Sequence, residues 1–85
     1  MVNMTMAFVL INCEAGAEEK LIKNIAEVNE VTEIQSTIGS YDLLVKVVSP
    51  TPSELRKIIS ERILSQDKVH GTQVLLKSSE IVDLR

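Results

Sequence analysis

The stretch from residue 38 to residue 48, Ile-Gly-Ser-Tyr-Asp-Leu-Leu-Val-Lys-Val-Val, constrains the fold more than any other. Gly39-Ser40 stands between two strand-like runs. A glycine first in a two-residue loop is what a type II′ hairpin turn requires, because φ must be positive there. The pattern predicts an antiparallel hairpin of strands 31–38 and 41–48. It also sets a permissive backbone, a phenol and a carboxylate side by side at Gly39, Tyr41 and Asp42. A site, if the chain has one, is expected there.

The hairpin has partners on both sides. Residues 6–13, Met-Ala-Phe-Val-Leu-Ile-Asn-Cys, are too few for a helix and rich in branched side chains, which reads as a buried strand. Both of its alternating faces are apolar, with Ala7, Val9, Ile11 and Cys13 on one and Met6, Phe8 and Leu10 on the other. Gly16 and Ala17-Glu18-Glu19 mark a helix start, with acids in the first turn to complement the helix dipole. Leu21, Ile22, Ile25 and Val28 then recur at helical spacing. Strand 31–38 is half polar, as an edge strand tends to be. Strand 41–48 carries Tyr41, Leu43, Val45 and Val47 on one face and Asp42, Leu44, Lys46 and Val48 on the other. Thr51-Pro52-Ser53-Glu54 predicts a capped second helix: Thr51 as N-cap, Pro52 in the first turn, Glu54 closing a capping box. Leu55, Ile58, Ile59 and Ile63 form its apolar stripe. Residues 69–77 make a last strand, and 78–85 are read as a tail beyond a single domain spanning 4–77.

The order β-α-β-β-α-β, with right-handed crossovers, predicts an α+β ferredoxin-like sandwich: a four-stranded antiparallel sheet with two helices on one face. The first and third strands are central in that fold, and they are the most apolar here. The helices cover one face only. A bare apolar sheet face of several hundred Å² is rare on a soluble monomer. A two-fold homodimer, sheet against sheet, is therefore expected. Composition agrees, because 45% of the 85 residues are hydrophobic, more than a core this small readily hides.

Several functions fit poorly. The net charge is −3, and the nine basic residues are scattered without interleaved aromatics, so direct nucleic-acid binding is disfavoured. The single cysteine, Cys13, cannot form an internal disulfide and fits a reducing compartment. No apolar run is long enough to span a bilayer, and no basic leader precedes the first strand, so a cytoplasmic protein is expected. The lone His70 has no cysteine or carboxylate at metal-ligand spacing. No cofactor, metal or catalytic residue is expected.

The residues also carry a family likeness. Ala7-Phe8-Val9-Leu10, Gly16-Ala17-Glu18-Glu19, Val28-Asn29-Glu30-Val31, Gly39-Ser40-Tyr41-Asp42-Leu43 and Val69-His70-Gly71-Thr72-Gln73 follow one another in order. Together they resemble the effector-binding (RAM) domain of the Lrp/AsnC transcriptional regulators, in a stand-alone form without a helix-turn-helix domain. The resemblance implies a dimeric α-β barrel, association of dimers into octamer-like rings, and a small amino acid effector bound between dimers. It also implies a partnership with full-length regulators of the same kind.

The ligand contacts the resemblance implies are Gly39, Ser40, Tyr41, Asp42, Thr72 and Gln73. The Gly39 turn would offer backbone N–H groups to a carboxylate. Asp42 would pair with an α-ammonium, and Thr72 or Gln73 would read a polar side chain. Each residue also has a plainer reading. Asp42 can serve backbone N–H groups near the hairpin, and Tyr41 can be an interface residue with its hydroxyl bonded. An ACT-like amino-acid sensor shares the element order. A small ferredoxin-like enzyme does too, but it would need more acid, base and aromatic groups than one histidine and no tryptophan supply.

Overall fold

A computed structural model describes residues 4–77. The elements run β1 (Thr5–Cys13), α1 (Glu18–Ala26), β2 (Val31–Ser36), β3 (Leu43–Ser49), α2 (Pro52–Ile58), one π-helical turn (Ile59–Ile63) and β4 (Val69–Lys77). The expected tail, 78–85, lies outside the described residues, as do residues 1–3.

The strands form one antiparallel sheet in the order β2-β3-β1-β4. The two most apolar strands are central, as the ferredoxin-like pattern requires. The core lies between the sheet and the helices. Ala7, Val9, Ile11, Leu43, Val45 and Val47 project from the sheet, and Leu21, Ile25, Leu55, Ile59 and Ile63 meet them from the helices. All of these side chains are buried. Alternate residues of the same strands face the other way, where no helix lies among the described residues.

The second helix shows how local chemistry sets an element. Thr51 is extended and its Oγ1 accepts the Glu54 N–H at 3.1 Å, while Pro52 needs no partner in the first turn. The reciprocal half of the expected capping box is different. Glu54 Oε2 accepts from Ser49 Oγ at 3.2 Å, because Ser49 is a buried hydroxyl at the end of β3 and needs an acceptor. Further on, Leu55, Ile59 and Ile63 repeat every four residues. On an α-helix such a repeat drifts by about 40° per step. The π turn, with Leu64 N–H donating to Ile59 O at 2.8 Å, counters that drift and keeps Ile63 in the core.

The hairpin departs from its expected bounds. β2 ends at Ser36 and β3 begins at Leu43, so the strands stop short of the predicted 38 and 41. The register is nonetheless that of a two-residue Gly39-Ser40 loop: Ser36 faces Leu43, and Thr37 N–H donates to Asp42 O at 2.9 Å. Gly39 takes the positive φ, +116°, that the turn requires. The ladder frays because its groups bond elsewhere. Thr37 Oγ1 donates to Tyr41 O, and Asp42 N–H donates to Ile11 O of β1 at 2.8 Å.

Candidate functional site

The frayed tip, the end of β1 and the start of β4 meet at one end of the sheet. The pairing of β1 with β4 slips between Asn12 and Cys13, where Asn12 faces Gly71 and Cys13 faces Val69. At that slip the Cys13 N–H takes Asp42 Oδ2 as its acceptor, at 2.9 Å. Asp42 thus performs the plainer of its two expected roles with one oxygen. Just beyond, Glu14 N–H donates to Lys68 O at 2.9 Å, and Lys68 Nζ meets Glu14 Oε2 at 3.0 Å. These contacts tie the end of β1 to the approach to β4.

Charge at this end follows from the contacts. Burial holds the Cys13 thiol above its ordinary pKa, and the carboxylates of Asp42 and Glu18 raise it further. Cys13 is therefore a poor thiolate nucleophile. The hydrogen bond and charge of Lys68 lower the Glu14 carboxyl, and Glu14 raises Lys68 in return.

Tyr41 does not follow the simple alternation of a strand. Its hydroxyl reaches across β1 to Gln73 of β4 and donates to Oε1 at 3.4 Å, a long hydrogen bond. Gln73 faces Leu10, so it stands on the helix-free face. Of the six expected contacts, then, Tyr41 and Gln73 come together, while Asp42 is held by the Cys13 N–H. Gly39 and Ser40 are exposed at the tip. Thr72 parts from this group: it pairs with buried Ile11, which places it on the helix side of the sheet.

Two further residues belong to the corner. Asn12 continues the Met6-Phe8-Leu10 side of β1, and a Cβ on Gly71 would stand 3.5 Å from its Nδ2. The alternation of the first strand carried this information, since Asn12 is the polar member of that face. Ile38, beside the turn, is fully exposed. Its place in the predicted strand 31–38 gave no hint of that. Among the described residues the corner is open, with hydroxyl, amide and backbone groups but no wall above them. Among the described residues, no three His, Cys, Asp or Glu side chains gather as a metal would need. No helix among them is long and apolar enough to cross a membrane.

The rest of the helix-free face is apolar. Met6, Phe8 and Leu10 of β1 lie beside Val48 and Leu44 of β3 and Leu75 of β4. Lys46 faces Phe8 on one side and Glu33 on the other, so the polar groups lie toward β2.

The model of the Lrp/AsnC ligand binding domain matches residues 6–85. The chain belongs to this family. The HTH-type transcriptional regulator FL11 of Pyrococcus horikoshii is 31% identical over 71 residues, 84% of this chain and 46% of that protein. The Lrp/AsnC chain thus spans about half the length of that regulator. The crystal structure of FFRP-DM1 superposes with a TM-score of 0.83 at 30% identity, covering 87% of this chain and 99% of that one. The transcriptional regulator NMB0573 of Neisseria meningitidis, solved as an L-Met complex, has a TM-score of 0.80 at 18% identity. That match covers 93% of this chain and 53% of the Neisseria protein, and it speaks for the fold.

Proposed function

We propose that this domain is a non-catalytic ligand sensor of the Lrp/AsnC type, acting in the cytoplasm as a homo-oligomer. Two copies pack their helix-free sheet faces together, and dimers join into rings whose seams hold a small amino acid or related metabolite. The observation that carries this reading is the helix-free face itself: six apolar side chains on three strands, ending in a polar corner at Tyr41, Gln73 and Asn12. Apolar area of that kind gains from burial at about 25 cal/mol per Å². A corner open on one chain becomes a pocket when a neighbour roofs it.

In this pocket the Gly39-Ser40 backbone receives the ligand carboxylate. The Asp42 oxygen that Cys13 does not use faces the ammonium, and Tyr41 and Gln73 read the side chain. Thr72 contributes from the edge of β4 only if the seam wraps around that edge. Signalling follows from exchange: the same sheet interface lets the domain associate with full-length regulators of its family and alter their assembly.

The test is thermal denaturation of the purified chain against each of the twenty amino acids, beginning with L-methionine. A ligand that binds the folded state alone stabilises it by about 2.7 kcal/mol at a hundred times its Kd. A concentration-dependent rise in Tm, lost in Gln73→Ala and weakened in Tyr41→Phe, is expected. An equal rise in Asp42→Ala removes Asp42 from the pocket. No rise with any amino acid overturns the sensor reading.

A further inference from the structure

Gly71 sits at the polar corner with no reason in the fold to be a glycine. It lies inside β4, opposite Asn12 of β1. A glycine within a strand costs stability relative to alanine. Its φ is not positive, unlike those of Gly16 and Gly39, so the neighbouring register slip does not place it in the left-handed region. A Cβ there would stand 3.5 Å from Asn12 Nδ2 and 3.7 Å from Asn12 Cβ, which are ordinary contacts. Neither backbone strain nor crowding asks for glycine. What the missing side chain does is leave the flank of the Asn12 amide bare. An interior strand glycine of this kind marks a place where another group approaches closely.

The groups around that gap are two amides. Asn12 is the polar end of the Met6, Phe8, Leu10 row on the helix-free side of β1. Gln73 stands two residues from Gly71, on the same face of β4. Its Oε1 accepts from the Tyr41 hydroxyl at 3.4 Å, which leaves Nε2 to donate. Among the described residues neither amide makes another side-chain hydrogen bond. The bare gap therefore lies between donors and acceptors, with no charged group at Asn12, Gly71 or Gln73.

Chemistry narrows what fills the gap. An aliphatic side chain would leave both amides unpaired once a neighbour covers the corner, which costs more than a hydrogen bond gains. A carboxylate would use only the donors. It would also enter beside Asp42 and Glu18, whose charges already raise the Cys13 thiol next to Asn12. A cation finds no counter-ion, because the free Asp42 oxygen is matched to the α-ammonium in the sensor reading above. A carboxamide satisfies both amides: its C=O accepts from Gln73 Nε2 and its NH2 donates to Asn12 Oδ1. Resting on that sensor reading, we propose that Asn12, Gly71 and Gln73 form the side-chain subsite and select an amino acid whose side chain ends in a carboxamide. Asn12 and Gly71 thereby join the ligand contacts, and Tyr41 is a positioning residue that orients the Gln73 amide.

Titrations of the intact chain, followed by Tm, test this with L-asparagine, L-glutamine, L-aspartate, L-glutamate, L-leucine and L-methionine. L-asparagine or L-glutamine should bind at least about tenfold more tightly than any of the other four. Equal or tighter binding of an acidic or aliphatic amino acid would overturn the carboxamide subsite and leave the sensor reading standing. No shift with any amino acid would overturn both. Two variants assign the residues. Gly71→Ala should keep or raise the Tm of the ligand-free chain while weakening carboxamide binding by about tenfold, because the added methyl covers the Asn12 amide. A lower ligand-free Tm, or unchanged binding, would return Gly71 to a structural role and overturn its part in the subsite. Asn12→Leu should bring L-asparagine and L-glutamine to within about threefold of L-leucine, since only the polar pairing is lost. A preference for the carboxamide that survives this change would overturn the role of Asn12.

Discussion

The two faces of the sheet are made from alternate residues of the same strands, yet they have different surroundings. In β1, Ala7, Val9 and Ile11 are fully buried beneath the helices, whereas Met6, Phe8 and Leu10, their immediate neighbours, remain partly exposed. β3 repeats the contrast, with Leu43, Val45 and Val47 inside and Leu44 and Val48 outside. Strands apolar on both sides usually belong to sheets covered on both sides. Among the described residues, the chain supplies one covering layer from its own helices and has no helix for the other. The difference teaches that the two central strands are composed for a three-layer object, of which a single chain builds two layers.

The contrast can be broken from either face. Ile11→Ala, in the covered face, should cost about 2–5 kcal/mol of stability by leaving a cavity among Leu43, Leu21 and their neighbours, read by chemical denaturation. Leu10→Ala, one residue away, should cost less in the unfolding of the chain and instead shift the assembly toward smaller species. Equal losses at both positions would erase the distinction between the faces. A smaller effect sharpens the picture where the faces meet, at the end of β1. Burial first, then the carboxylates of Asp42 and Glu18, hold the Cys13 thiol above its ordinary pKa. A raised folded-state pKa gives stability that is present below the pKa of the unfolded thiol and is lost as pH rises through the folded value. Asp42→Asn should therefore lower the Cys13 pKa and speed its alkylation in mildly alkaline buffer, and an unchanged rate would remove Asp42 from the thiol's surroundings.

The smallest effect is expected at the Glu14–Lys68 pair, whose side chains are half exposed. Lys68 lowers the Glu14 carboxyl, so the pair's contribution is present above the unfolded carboxylate pKa and is lost as pH falls through the lowered one. The raised Lys68 loses its share as pH rises through its own folded value. Glu14→Gln should flatten the acid limb of Tm against pH slightly and leave neutral pH nearly unchanged.

Much of this was legible in the residues because it rests on period and on local chemistry. The last strand, 69–77, coincides with β4, and the apolar runs put β1 and β3 at the centre. Thr51 and Pro52 announced the second helix. What the residues did not announce depends on neighbours distant in sequence. Glu54 turns to Ser49 because Ser49 is buried, which its local sequence does not reveal. The hairpin ends early because Thr37 and Asp42 find other partners, although the register of the tip was readable from Gly39. At the corner, Tyr41 meeting Gln73 is a tertiary fact, and Thr72 falls on the other face by a register that only pairing with β1 sets. The π turn answers a four-residue repeat that was visible, but its geometric consequence emerges only when Ile63 must reach the core.

Sedimentation velocity of the intact chain across micromolar concentrations tests most directly whether the uncovered layer is built to receive another copy. Dimers or multiples of dimers are predicted, dissociating when Phe8 and Leu44 are both changed to Asp while the circular dichroism of the fold persists. A folded, non-associating monomer at every concentration would contradict it.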